Sequence, residues 1–201
     1  MRLISYLKHS TTPDTYERFK YLTIAFMYYS GMRNNEVTTL KAEDIRLVDD
    51  REAVVHVCHS YNPLDGLKAP KNGEARYTTI PAELAKEVLE YAKGNPDGFI
   101  FYSLLDPSRP LRDENIRKAF YIALDAIGIS PEERERRNIT THSLRHGYNT
   151  ALANSGELSG EDIRLTTGHK SEAMTDHYHH ETQEHLERVA KVRAAVLPYI
   201  E

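Results

Sequence analysis

The segment TPDTYERFKYLTIAFMYYSG, Thr12 to Gly31, constrains the fold of this chain most strongly. Thr12 is a capping residue and Pro13 suits the first helical position. Phe19, Leu22, Phe26 and Tyr29 then recur at helical spacing until Gly31 stops the run. The same punctuation returns along the chain. A short helix is expected around Asn35 to Leu40, one from Pro81 to Gly94, and one over RDENIRKAFYIALDAIG. In that last segment Ile116, Phe120, Ala123, Leu124 and Ile127 share a face. SPEERERRN opens with Ser130 and Glu133, a capping-box spacing. A helix starts near Thr141, another is opened by Ser171, and a last one runs from about Thr182 to Leu197. Only DIRLVDDREAVVHVCHS and LKAPKNGEARYTTIP read as strands, the second around the Asn72-Gly73 turn pair. The expected fold class is therefore mainly α with a small antiparallel β-sheet (α+β). With 201 residues and no repeat, low-complexity tract or linker, the chain reads as one domain.

Composition narrows the function classes. Apolar residues make up 40% and charged residues 28%, as in a soluble globular protein. No apolar run reaches bilayer length, so no membrane partner is expected. The N-terminus MRLISYLKHSTTPD is too polar for a secretory signal. Cys58 is the sole cysteine, which excludes an intrachain disulfide and fits a cytoplasmic setting. The net charge of −4 argues mildly against a nucleic-acid partner, although a basic face can coexist with an acidic back.

The chemistry-bearing residues gather late in the chain. HSLRHGYNT places His142 and Arg145 three residues apart, on one face of a helix. TTGHKSEAMTDHYHH follows, with His169 after Gly168 in a turn and Tyr178 nine residues further on. Upstream, SGMRNNEVTTLKAEDI places Arg33 three residues before Glu36. In PKNGEARYTTIP, Lys71 precedes Arg76 by five residues and Pro81 by ten. Taken in order, these boxes resemble the tyrosine recombinase (phage integrase) family, from roughly Thr12 to His185. The resemblance implies the catalytic-domain fold of that family, with a catalytic set of Arg33, Lys71, His142, Arg145, His169 and Tyr178. Three departures stand out. Thr167 precedes the Gly-His pair where leucine is usual, and Asn149 stands where a small residue is common. Residues 1–201 also read as the catalytic domain alone, without the family's N-terminal DNA-binding domain.

The residue types suit metal-free phosphodiester chemistry. A tyrosine hydroxyl can attack phosphorus and form a phosphotyrosine that conserves the bond energy for rejoining. Free tyrosine, with a pKa of about 10, needs help losing its proton. Arg33 and Arg145 would clamp the non-bridging oxygens as negative charge gathers there, a contribution on the order of 3 kcal/mol per donor. Lys71 would protonate the leaving 5′ oxygen, with Lys68 as the rival lysine, and His142 would take the tyrosyl proton. His169 would donate to a phosphate oxygen, while Glu36 would orient Arg33 or buttress the fold. The resemblance implies a 3′-phosphotyrosyl intermediate on Tyr178, double-stranded DNA as partner, and a tetrameric synapse in the full-length protein. It implies no cofactor, and a nucleoid-associated, cytoplasmic protein.

Other readings remain at this stage. One is a catalytically silent DNA-binding relative acting as a regulatory factor. Another is a metal-dependent nuclease, because His177 and His180 lie one turn apart near His185, although no carboxylate or cysteine completes an obvious ligand set there. Arg134, Arg136 and Arg137 read either as a basic patch or as one face of a mixed-charge helix. In the tail, residues 182–201, Leu186, Val189, Ala190, Val196 and Leu197 form an apolar stripe. In the family such a tail docks on a neighbouring protomer; the alternative is that the stripe packs on its own domain.

Overall fold

The computed structural model describes residues 2–11, 16–70, 75–168 and 182–200. Its centre is helix α2, Tyr16–Ser30, whose residues are buried on nearly every side. The chain can bury α2 all round because the helix is apolar or aromatic beyond one stripe, and its polar Thr23 and Ser30 donate to backbone carbonyls one turn back. Helix α1, Arg2–Ser10, lies against α2 and seats Ile4 and Leu7 in the core. Helix α1 was not expected from the sequence, although Leu3, Ile4 and Leu7 recur there at helical spacing. The expected Thr12 cap lies outside the described residues.

Gly31 ends α2 in the left-handed conformation, φ +65°, and its N–H donates to the Met27 carbonyl. A short helix α3, Asn34–Val37, follows, then a 3-10 turn, Ala42–Asp44. Strands β1 (Ile45–Leu47), β2 (Glu52–Val57) and β5 (Arg76–Pro81) form an antiparallel sheet in the order β1-β2-β5. Ala53, Val55 and Val57 alternate into the core, a period of two from a β-branched run. Between β2 and β5 lies the hairpin β3 (Ser60–Asn62) and β4 (Gly66–Lys68), which turns through residues 63–65. The Asn72-Gly73 turn lies outside the described residues.

Helix α4, Ala82–Ala92, starts after Pro81 as expected. Strands β6 (Tyr102–Ser103) and β7 (Asp106–Pro110) form a hairpin the sequence reading missed. Helices α5 (Asp113–Ala126), α6 (Pro131–Arg136) and α7 (His142–Asn154) follow. Ser130 caps α6 by accepting from the Glu133 N–H. The α6 arginines are engaged in pairs: Arg134 with Asp125 at 2.6 Å, Arg137 with Glu133 at 2.9 Å. That is the mixed-charge face rather than an open basic patch.

Helix α8, Gly160–Thr167, has a full capping box between Ser159 and Asp162 and ends at Gly168, φ +68°. Helix α9, Thr182–Val196, packs against β5, α7 and α8. Its own domain covers most of the expected stripe: Leu186, Val189, Ala190 and Leu197 are buried and Val196 is half-buried, with Val192 buried beside them. Arg193 is buried too and pairs with Glu52 of β2 at 2.5 Å. This corrects the tail-docking expectation. The apolar face of α9 is needed to close the core, so it is not left for a second protomer.

Candidate active site

The site is built where three separated stretches meet. Arg33 follows the Gly31 turn and sits at the N-cap of α3. Glu36, one turn later, is 1% exposed, and each of its carboxylate oxygens accepts two hydrogen bonds. Oε1 takes Arg33 Nη1 at 2.9 Å and Arg76 Nη1 at 3.1 Å; Oε2 takes the Arg33 N–H at 2.9 Å and Arg76 Nη2 at 2.6 Å. Burial pushes the Glu36 carboxyl up, but the hydrogen bonds and charge of Arg76, reinforced by Arg33, hold it below the ordinary value. Glu36 therefore stays ionised and orients Arg33, as the sequence suggested. Its stronger partner, Arg76 from β5, was read there only as a spacing mark for Lys71.

Arg145 comes from α7 and is 1% exposed. Its guanidinium donates to the Gly31 carbonyl at 2.8 Å and to the Thr167 carbonyl. It is thus pinned between the end of α2 and the end of α8, the residue pair just before His169. Burial, with Arg33 and Arg76 nearby, pushes its pKa down to about 10, against which Glu36 pulls up. At neutral pH it remains a cation. Its Nε finds no partner among the described residues. Arg33 and Arg76 thus share one carboxylate while Arg145 stands close by on backbone carbonyls, leaving local positive charge in excess. Such a pocket is built to receive an anion, and planar forks match phosphate oxygens.

Arg76 also donates from Nε to the Thr166 carbonyl at 3.1 Å, tying β5 to the end of α8. Gly168 must be glycine for two reasons: its φ is +68°, and a Cβ there would meet the Arg76 side chain at 3.0 Å. Gly31 is equally constrained, since a Cβ would lie 2.4 Å from the Tyr148 ring.

His142 opens α7, is exposed, and meets His146 edge-on at 4.7 Å between ring centroids. Arg33, Arg145 and the N-terminal end of α7 are thereby joined on one scaffold. Lys71, His169 and Tyr178 lie outside the described residues, as do His177 and His180. Lys68, the rival lysine, pairs with Asp65 at 2.8 Å on the β3-β4 hairpin. His185 is buried and bonds Asp162 Oδ1 at 3.1 Å and Thr166 Oγ1 at 3.2 Å. Burial pushes the Asp162 carboxyl up, but hydrogen bonds from Arg188, Ser159 and His185 hold it well below the usual carboxylate range. His185 therefore clasps α9 to α8, a role the metal reading did not consider.

The sequence profile of the phage integrase family matches residues 2–185. This chain belongs to the phage integrase family. Among curated members, it is 27% identical over 188 residues to tyrosine recombinase XerA of Thermococcus kodakarensis, covering 94% of this chain and 59% of that protein. It is 27% identical over 172 residues to tyrosine recombinase XerC of Lactobacillus delbrueckii subsp. bulgaricus, covering 81% of this chain and 50% of that protein. The chain thus spans half to three-fifths of the length of these curated relatives. Its fold is that of XerH in a post-cleavage complex with a palindromic difH substrate, with TM-score 0.65 and 14% identity over 96% of this chain and 47% of that one. It is equally that of the Tn1549 transposon integrase in complex with a circular-intermediate DNA, with TM-score 0.62 and 22% identity over 84% of this chain and 55% of that one. These integrase-family folds confirm the mainly α class with small antiparallel sheets. Among the described residues no helix is long and apolar enough to cross a membrane.

Proposed function

We propose that residues 1–201 are the catalytic domain of a site-specific DNA recombinase that cleaves and rejoins strands through a 3′-phosphotyrosyl intermediate on Tyr178. The observation that carries this reading is the convergence of Arg33 and Arg76 on the buried carboxylate of Glu36, with the Arg145 guanidinium pinned nearby on the Gly31 and Thr167 carbonyls. In the proposed reaction the scissile phosphate supplies the missing negative charge. Arg33 and Arg145 bind its non-bridging oxygens, and their preorganisation by Glu36, Gly31 and Thr167 lowers the barrier as charge develops. Tyr178 Oη attacks phosphorus and the bond to the 5′ oxygen breaks. The tyrosyl proton passes to His142, Lys71 protonates the departing oxygen, and His169 donates to a phosphate oxygen. A 5′ hydroxyl on a second strand then reverses the step, restoring a phosphodiester and freeing Tyr178. Every bond and proton balances with side chains alone, so no metal or cofactor is required.

Double-stranded DNA is the proposed partner, in the nucleoid of a cell. DNA in the solved complexes of XerH and the Tn1549 integrase supports it. Four chains would assemble the synapse in the full-length protein. A silent DNA-binding relative would have no need of Tyr178 at its offset, and a nuclease would need metal. The test is incubation with a nicked suicide duplex, then denaturation. A covalent protein–DNA adduct that forms equally with chelator present is expected. No adduct under any condition would favour a silent relative, and a chelator-sensitive cleavage without adduct would favour the nuclease.

A further inference from the structure

Outside this site, three side chains of metal-binding chemistry meet at the open end of the β1-β2 pair. The register Ile45↔Val55 sets Asp44, just before β1, beside His56 on β2. His56 and Cys58 are two residues apart along an extended segment. As a result Asp44, His56 and Cys58 bring one ligand atom each to within 4.8 Å of one another. Cys58 Sγ is 3.3 Å from Asp44 Oδ1, and His56 Nδ1 is 3.9 Å from the same oxygen. His59 Nδ1 lies a further 3.1 Å from the sulfur. Zinc bonds of roughly 2.0–2.3 Å place tetrahedral ligands about 3.3–3.8 Å apart, so these separations already approximate the edges of such a polyhedron.

We propose that Asp44, His56 and Cys58 bind one divalent transition-metal ion of the zinc class, with solvent completing its coordination. The donor set selects the ion: thiolate and imidazole suit zinc and its neighbours, whereas magnesium and calcium prefer oxygen alone. The surroundings orient the ligands. Asp44 Oδ2 accepts the Lys41 N–H at 2.9 Å, which turns Oδ1 towards Cys58. The His56 ring stacks on Tyr77 with centroids 4.9 Å apart, which fixes its plane. Asp44 is buried while His56 and Cys58 are half-exposed, so an ion can enter from solvent. On binding, the Cys58 thiol loses its proton to solvent and forms a metal–sulfur bond. The thiolate and the Asp44 carboxylate then balance the two positive charges. The His59 carbonyl accepts from Thr39 Oγ1 at 3.1 Å, so a bound ion would brace the segment leading from β2 to the turn after α3.

Cobalt(II) is the probe, because its thiolate complexes absorb characteristically. Added to metal-free protein, one equivalent should produce a thiolate-to-cobalt charge-transfer band with d–d bands of tetrahedral intensity, and zinc should bleach both. Cys58 is the sole cysteine, so ions captured by the histidines near His180 give no such band. Cys58→Ser should abolish the band, and His56→Gln should weaken cobalt binding at least tenfold, both variants keeping a cooperative melt. Absence of the band at one equivalent would overturn the proposal. So would unchanged affinity in both His56→Gln and Asp44→Asn, which would mark a lone thiol collecting metal.

Discussion

Replacing Glu36 by glutamine tests the scaffold of the arginine pocket. The side chain keeps its shape, but one carboxylate oxygen becomes an NH2 group. The two oxygens each accept two hydrogen bonds, so either orientation of the amide points its NH2 donor at two N–H donors. One of the lost pair always comes from Arg76 and one from Arg33. Charge-assisted bonds contribute about 1.5–3 kcal/mol each, so the loss is about 3–6 kcal/mol, in line with the 3–5 kcal/mol typical of breaking a buried ion pair. The midpoint of thermal unfolding should fall by roughly 6–24 °C for a chain of this size. The pH dependence carries a sign of its own. The folded carboxyl titrates below its unfolded value, so its stabilisation is present above about pH 4.3 and fades as pH falls through the lower, folded value. The gap between wild type and variant should therefore narrow on acidification. Urea melts in chloride buffer at pH 7 and in the acid range measure both quantities. A cost under about 1 kcal/mol, or a gap constant with pH, would refute the claim that Glu36 is an ionised keystone.

Three further outcomes follow from the geometry. Gly31→Ala should cost several kcal/mol and impair adduct formation, because a Cβ would sit 2.4 Å from the Tyr148 ring in a left-handed conformation, disturbing the carbonyl that holds Arg145; a urea melt and the suicide-duplex assay check both. Deleting residues 183–201 should abolish the cooperative melt seen by circular dichroism, since five apolar side chains would leave the core at about 1.5–3 kcal/mol for each large one and Glu52 would lose Arg193. Lys71→Ala should be far less impaired on a duplex whose 5′ bridging oxygen is sulfur, because that leaving group departs without a proton; single-turnover cleavage rates on the two substrates measure it.

Much of this architecture is legible in the chain itself. The α2 stripe, the Gly31 stop, the Pro81 start and the Ser130 cap are local signals, and local signals survive into the fold. The β6-β7 hairpin was not legible because Asp106–Pro110 carries two prolines and polar residues with no alternation. The role of Arg76 was hidden for another reason. A charged residue in a strand reads as solvent-facing, and its partner Glu36 lies forty residues upstream, so only the tertiary fold pairs them. The α9 stripe announced a buried face correctly, but periodicity says nothing about what covers it. The Asp44, His56 and Cys58 cluster is hidden in the chain in the same way: Cys58 and His56 look unremarkable until the β1-β2 register brings Asp44 alongside.

The central claim is that Tyr178 carries the DNA strand, and the site of covalent attachment tests it directly. Trapped adduct is digested with nuclease and protease, and the modified peptide is sequenced by mass spectrometry. The expected product is a nucleotide linked through its 3′ phosphate to Tyr178, absent from Tyr178→Phe, whose melt should match the wild type. A nucleotide on any of the other tyrosines, or an adduct undiminished in Tyr178→Phe, would contradict it.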